Sequence, residues 1–271
     1  MDQKILFLGA GNMARAMISG LLTRGFTPQR LSAVDPSRDA LNLLSGMGLN
    51  QLSTQVDKSM DTADLVVIAV KPQVVKKALE KALVFLPPNT PLLSIAAGIT
   101  TSSIQAKTNP KTPIIRCMPN TPSMIGRGAS ALFASSSVTM AARNLAEQVT
   151  NAVGLTIWVE KESLLDVVTA VSGSGPAYFF KLMDAVIKTG VDLGLDAATV
   201  TALTKHTALG AAELALQSDA TIKSLCENVT SPGGTTESAL RVLEEGNFQA
   251  LIKEAVMSGA ERSKKLGEEF F

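Results

Sequence analysis

Along the first 160 positions, apolar residues fall in short runs separated by helical patterns. The runs are Ile5–Leu8, Leu31–Val34, Leu65–Val70, Leu92–Ile95, Ile114–Cys117, Ala129–Phe133 and Thr156–Val159. The run LVVIAV at 65–70 has no polar alternation, which suits a strand of a parallel sheet covered by helices on both faces. Between positions 12 and 22, Met13, Met17 and Leu21, with Ala14, Ile18 and Leu22, recur every four residues along one helix face. Strand, helix and strand in alternation predict a doubly wound α/β layer with a mostly parallel sheet.

After Val159 the strand signal stops. Helices are predicted at about Ser163–Ala170, Ser174–Leu193, Asp196–Ala215, Thr221–Glu227, Thr236–Glu244 and Phe248–Leu266. The stretch ALGAAELAL at 208–216 is apolar almost all round, and such a helix must be buried on more than one side. A helical domain of roughly 110 residues can hardly bury it alone, so an oligomer with packed or swapped helices is expected. Two domains are predicted, 1–160 and 161–271.

Composition narrows the function classes. Lys and Arg total 25 against 24 Asp and Glu, a net charge of +1. That balance argues against a nucleic-acid or anionic-membrane partner, whose binding needs clustered positive charge. The Leu65–Val70 run is far short of the ~20 apolar residues of a spanning helix. The opening MDQKILFLGA lacks a secretory signal's long apolar stretch and cleavage site. Two cysteines build no disulfide framework and suit a reducing compartment, so a cytoplasmic protein is expected. The single histidine, His206, excludes most zinc sites and any scheme using two histidines. Within its Ala- and Leu-rich helix it reads as structural.

The chemistry-bearing motifs begin with Gly9-Ala10-Gly11-Asn12-Met13-Ala14, directly after a strand and opening a helix. Gly9 is expected to make the tight turn, and Gly11 to let the backbone approach a pyrophosphate. Ala14 replaces the third glycine and keeps helix and strand close. These residues point to a Rossmann dinucleotide-binding domain. Asp35 ends the second strand, where an acidic side chain accepts from the ribose hydroxyls of NAD. Ser37 and Arg38 instead suit the 2′-phosphate of NADP, and Asp35 equally suits a helix cap. Loop chemistry alone therefore leaves NADH and NADPH open. Ala69-Val70-Lys71-Pro72 ends the strongest strand at the edge where open α/β sheets bind ligands, although Lys71 also fits a solvated helix start. Asn120, in CMPNTP, ends another strand at that edge. Cys117 reads as a buried strand residue.

The C-terminal half adds two Gly-rich loops that lead into helices, Ser172-Gly173-Ser174-Gly175-Pro176 and Ser231-Pro232-Gly233-Gly234-Thr235-Thr236. Free N–H groups at a helix start attract an anion. With no Lys or Arg in the second loop, a single carboxylate is expected rather than a polyphosphate. The Ser and Thr residues also fit plain helix caps.

Together, GAGNMA, AVKPQ at 69–73, AAGI at 96–99, RCMPNTP at 116–122, VSGSGPAY at 171–178 and NVTSPGGTTESALRVLE at 228–244 resemble the pyrroline-5-carboxylate reductase family over the whole chain. The resemblance implies a Rossmann domain followed by an all-α domain that forms an intertwined homodimer, further assembled into decamers. It implies reduction of 1-pyrroline-5-carboxylate to L-proline, with NADPH preferred and NADH accepted. By the same resemblance, Ser231, Gly233, Gly234 and Thr235 hold the substrate carboxylate and Thr236 donates to the ring nitrogen. Ser172 and Gly175 shape the pocket, and Lys71, Pro72 and Asn120 flank the nicotinamide. Val56 stands where relatives commonly carry an Asn near the adenosine. One rival is a β-hydroxyacid dehydrogenase, in which a Lys follows the second glycine by four residues; here Lys181 follows Gly175 by six. Another is an NAD(P)-sensing module, which has no use for a hydroxyl-rich second loop.

Overall fold

The first strand, β1 (Ile5–Leu8), is buried on both faces, and its alternate residues enter two different cores. The computed structural model describes residues 3–58 and 62–269. The remaining strands are β2 (Leu31–Val34), β3 (Gln51–Ser53), β4 (Leu65–Ile68), β5 (Leu92–Ser94), β6 (Ile114–Met118), β7 (Gly128–Ala134) and β8 (Gly154–Trp158). They form one sheet in the order β3-β2-β1-β4-β5-β6-β7-β8, parallel except between β6 and β7. The order 3-2-1-4-5-6 is that of the Rossmann fold, with its switch point between β1 and β4.

Period-two alternation explains the two cores. Ile5, Phe7, Leu65 and Val67 face one side, where α1 (Asn12–Thr23) contributes Ala14, Met17, Ile18 and Leu21. On that side α2 (Arg38–Ser45) adds Leu41 and Leu44, and α5 (Met140–Asn151) adds Leu145, Ala146 and Val149. Leu6, Leu8, Val66 and Ile68 face the other side, against Val75, Leu79 and Ala82 of α3 (Val75–Ala82) and Ile104 of α4 (Thr101–Gln105). Val56 packs, half-buried, against this second core.

The strand expected over 65–70 stops at Ile68, because Pro72 opens a short 3-10 turn (Pro72–Val74) and the chain leaves the sheet before it. β3 was not expected. It is a polar, partly exposed edge strand of three residues, too short to show a period.

The all-helical part holds α6 (Leu164–Val168), a π-helical turn (Thr169–Gly173), α7 (Gly175–Asp192), α8 (Ala197–Gln217), α9 (Ile222–Asn228), α10 (Thr235–Glu245) and α11 (Phe248–Glu269). Asp196 caps α8 by accepting from Thr199 N, and Thr221 caps α9 by accepting from Ser224 N. The chain divides into two compact units, one of Met1–Ser174 with Met257–Phe271, the other Gly175–Val256. In the first, the end of α11 is fixed by a 2.8 Å bond from Ser263 Oγ to Asp166 Oδ1. In the second, only Gly175 and Val200 are buried, so a single copy has almost no core there. Among the described residues no helix is long and apolar enough to cross a membrane.

Candidate active site

The turn after β1 is built around two glycines with different tasks. Gly9 has φ +105°, and a Cβ there would lie 2.5 Å from the Ala69 carbonyl oxygen, so a side chain is excluded both by conformation and by space. Its N–H donates to Val34 O at 2.8 Å. Gly11 is the N-cap of α1, and a Cβ placed on it would meet nothing within 4 Å. The first helical bond runs from Arg15 N to Gly11 O at 3.0 Å, which leaves the N–H groups of Asn12, Met13 and Ala14 ahead of it. The first turn carries no acidic residue. Open space over Gly11, orphan donors and a positive helix end fit the pyrophosphate of a dinucleotide. Asn12 Oδ1 accepts from Arg15 Nη2.

Asp35 is tied into the protein on both oxygens. Oδ2 accepts from Ala10 N and Oδ1 from Ser37 N, each at 2.8 Å. Its carboxylate thus links the glycine turn to the β2–α2 loop. Ser37 caps α2 by accepting from Ala40 N at 3.3 Å, and Arg38 begins that helix, exposed. At the same carboxyl edge Ala69 N donates to Leu8 O at 2.8 Å, Ala69 and Val70 are half-buried, and Lys71 is exposed where Pro72 starts its turn.

Asn120 does not project freely from this edge. Oδ1 accepts from Ala129 N at 2.9 Å, while Nδ2 lies 3.2 Å from Ser172 O and 3.4 Å from Ser172 Oγ. Ser172 Oγ in turn donates to Ala129 O at 3.1 Å. Ala129 is a partner that sequence reasoning missed, since these contacts join positions 9, 43 and 52 residues apart. Cys117 is buried, and burial pushes its thiol up to about 12, which removes it as a nucleophile near neutral pH.

The loop before α10 stands in the helical unit. Gly233 has φ +71°, the left-handed conformation that lets Gly234 N reach back to Ser231 O at 2.9 Å. Gly233 N donates to Glu237 Oε2 at 2.8 Å. Glu237 was also missed, although a Glu three residues past the N-cap Gly234 has the spacing of a capping box. Ser238 N makes the first helical bond to Gly234 O, so the N–H groups of Thr235, Thr236 and Glu237 lie ahead of it at the positive end of α10. The free donors therefore sit one step further along than the glycines themselves. Thr236 is half-buried, and His206 is exposed on α8. Among the described residues no group of His, Cys, Asp or Glu could hold a metal ion.

Residues 162–266 match the family of pyrroline-5-carboxylate reductase dimerisation domains, and residues 4–98 that of NADP oxidoreductases described as coenzyme F420-dependent. A curated pyrroline-5-carboxylate reductase of Pseudomonas aeruginosa is 41% identical over 98% of this chain and 97% of its own length. The chain belongs to the pyrroline-5-carboxylate reductase family. Two solved structures agree. The pyrroline-5-carboxylate reductase of Coxiella burnetii is 40% identical with TM-score 0.92, over 98% of this chain and 99% of that one. The Plasmodium falciparum pyrroline carboxylate reductase, solved with NADP bound, is 28% identical with TM-score 0.86, over 98% of each. A 3-hydroxyisobutyrate dehydrogenase of Mycobacterium tuberculosis, 15% identical with TM-score 0.53, shares the fold alone, and the β-hydroxyacid dehydrogenase reading is not favoured. Use of NAD(P)H and oligomerisation through the helical part go with the reductase family.

Proposed function

We propose that the protein reduces 1-pyrroline-5-carboxylate to L-proline with NAD(P)H, the last step of proline biosynthesis, using the two helix N-termini described above. The loop at the head of α10 carries the reading. A helix start with free N–H groups, flanking hydroxyls and no basic side chain suits one small carboxylate. Ser231, Gly233 and Gly234 shape the loop, and Thr235 and Thr236 present backbone donors to the substrate carboxylate. The Thr236 hydroxyl donates to the ring nitrogen. Gly9, Gly11, Asn12 and Met13 hold the pyrophosphate, Ser37 and Arg38 take the 2′-phosphate, and Ala69–Pro72 flank the nicotinamide. Arg38, exposed at the start of α2 next to the loop that Asp35 fastens, supports NADPH as the preferred cofactor, with NADH accepted.

When bound, the reduced nicotinamide supplies the hydride that adds to the C=N carbon. A cyclic imine is basic enough to be partly protonated near neutral pH, so little acid catalysis is asked of the chain. Orientation, carboxylate anchoring and one hydrogen bond at nitrogen are its contribution. The exposed apolar helices of residues 161–271 support a homodimer, and the family resemblance a decamer of such dimers. The free thiols suit a cytoplasmic setting.

Purified protein mixed with NADPH or NADH should oxidise the cofactor when pyrroline-5-carboxylate is added, and no turnover with either would refute the reading. Thr236→Ala should lower kcat by about 10–100-fold, the effect of one transition-state hydrogen bond, with the NADPH Kd unchanged. An equal loss of NADPH affinity would move Thr236 to the cofactor.

A further inference from the structure

The family resemblance sets Asn120 beside the nicotinamide, and in the structure its carboxamide is engaged by the protein itself. Nδ2 lies within hydrogen-bond distance of both the Ser172 carbonyl and its hydroxyl, and Oδ1 accepts from Ala129 N. The Ser172 hydroxyl closes the circuit on Ala129 O. Three segments meet here: the start of the 3-10 turn Thr121–Ile125, the start of β7, and the π-helical turn Thr169–Gly173. All three belong to the same compact unit.

The π-helical turn is the unusual element. Single π turns are rare, weaker than α turns and concentrated at functional sites. Its own i→i−5 bond runs from Ser174 N to Thr169 O at 2.8 Å, and Thr169 Oγ1 donates to Leu165 O at 2.7 Å. Asn120 adds a partner for the Ser172 carbonyl from outside the helix. Next to it, a Cβ on Gly173 would lie 2.6 Å from Met118 Cε, so Met118 packs directly over a residue that has no side chain. Met118 and Asn120, two apart on one segment, thus grip Gly173 and Ser172, adjacent on the other.

We propose that Asn120 is a positioning residue for the reaction, holding the π-helical turn and its Ser172–Ser174 exit in fixed register with the turn after β6. This rests on the proposed reaction and on the pocket role that the family resemblance gives Ser172. Asn120 acts through Ser172 and not on the cofactor. Loosening the brace lets the Ser172–Ser174 segment shift by a fraction of an ångström. That cuts productive orientation while leaving the pyrophosphate turn at α1 untouched.

Asn120→Asp removes the donor toward Ser172 O and sets a carboxylate against that carbonyl, at nearly constant shape. We expect kcat for pyrroline-5-carboxylate to fall about 30-fold, as a buried hydrogen bond replaced by a repulsion does. The NADPH Kd, measured by calorimetry without substrate, should stay within about threefold, since the α1 donors are unchanged. If Asn120→Asp weakens NADPH binding in step with kcat, Asn120 is a cofactor ligand and the proposal falls. It also falls if kcat is unaffected. Should Asn120→Asp not fold, Asn120→Ser, too short to reach Ser172, answers the same question. A failure of the substrate reading shows separately, as a wild-type protein inactive with pyrroline-5-carboxylate.

Discussion

Asp35 shows how a residue that is obvious in the sequence can acquire its task from partners that are not. At the end of the second strand it suits a ribose ligand or a helix cap. Its two oxygens accept from Ala10 N, 25 positions away, and from Ser37 N. Charge-assisted bonds to backbone N–H groups are among the stronger ones in a protein. Asp35→Ala should therefore destabilise the cofactor-free protein by ~1–3 kcal/mol, read as a lower Tm. It should also weaken NADPH and NADH by similar factors, because the shared pyrophosphate turn is what loosens. A selective loss of NADH affinity at unchanged Tm would instead make Asp35 a ribose reader. Gly9 and Gly11 were legible beforehand because their constraint is local: a turn between a strand and a helix. Asp35, Asn120 and Ser172 were visible as residue types, but their bonding depends on which loops the sheet brings together.

The same division holds for whole elements. Long apolar runs and four-residue periods placed seven strands and every helix after position 160 to within a few residues, since burial on both faces leaves a strong pattern. Strand direction leaves none, so the antiparallel β6–β7 pair could not be read. Nor could the π-helical turn, which differs from an α turn by one inserted residue. A further link joins three elements: Arg116 of β6, only 5% exposed, donates from Nη1 to Glu162 Oε1 at 2.9 Å. Glu162 also accepts from Thr101 N and Thr101 Oγ1 at the start of α4, both at 2.6 Å. The cluster anchors α4 and the approach to α6 against the sheet. Removing one partner of a buried ion pair strands the other charge, which costs more than the pair contributes. Glu162 retains some solvent access, so Arg116→Met should lose ~2–4 kcal/mol in denaturant unfolding. Arg116→Met/Glu162→Gln together should lose less than the sum of the two single changes. Strict additivity would show that the pair is not coupled.

At the scale of the molecule, the deciding fact is how little the helical unit buries by itself. Phe179, Phe180 and Leu182 of α7 and Leu203, Leu209, Leu214 and Leu216 of α8 are all exposed in one copy. Domains of this size normally bury about 60% of the surface their unfolded chain exposes. The Ala- and Leu-rich stretch at 208–216 made this legible in the sequence, because a helix without a polar face needs neighbours on several sides. Oligomerisation is thus part of folding, and mass action ties stability to protein concentration. The Tm should rise by several degrees over a roughly hundredfold increase in concentration, and light scattering should give at least twice the mass of one chain. Leu209→Glu, which places a charge on the apolar face of α8, should lower the mass toward that of one chain. It should also depress Tm most at low concentration, where dissociation is already favoured. A wild-type Tm independent of concentration, together with the mass of a single chain, would mean that the helical unit is stabilised in some other way.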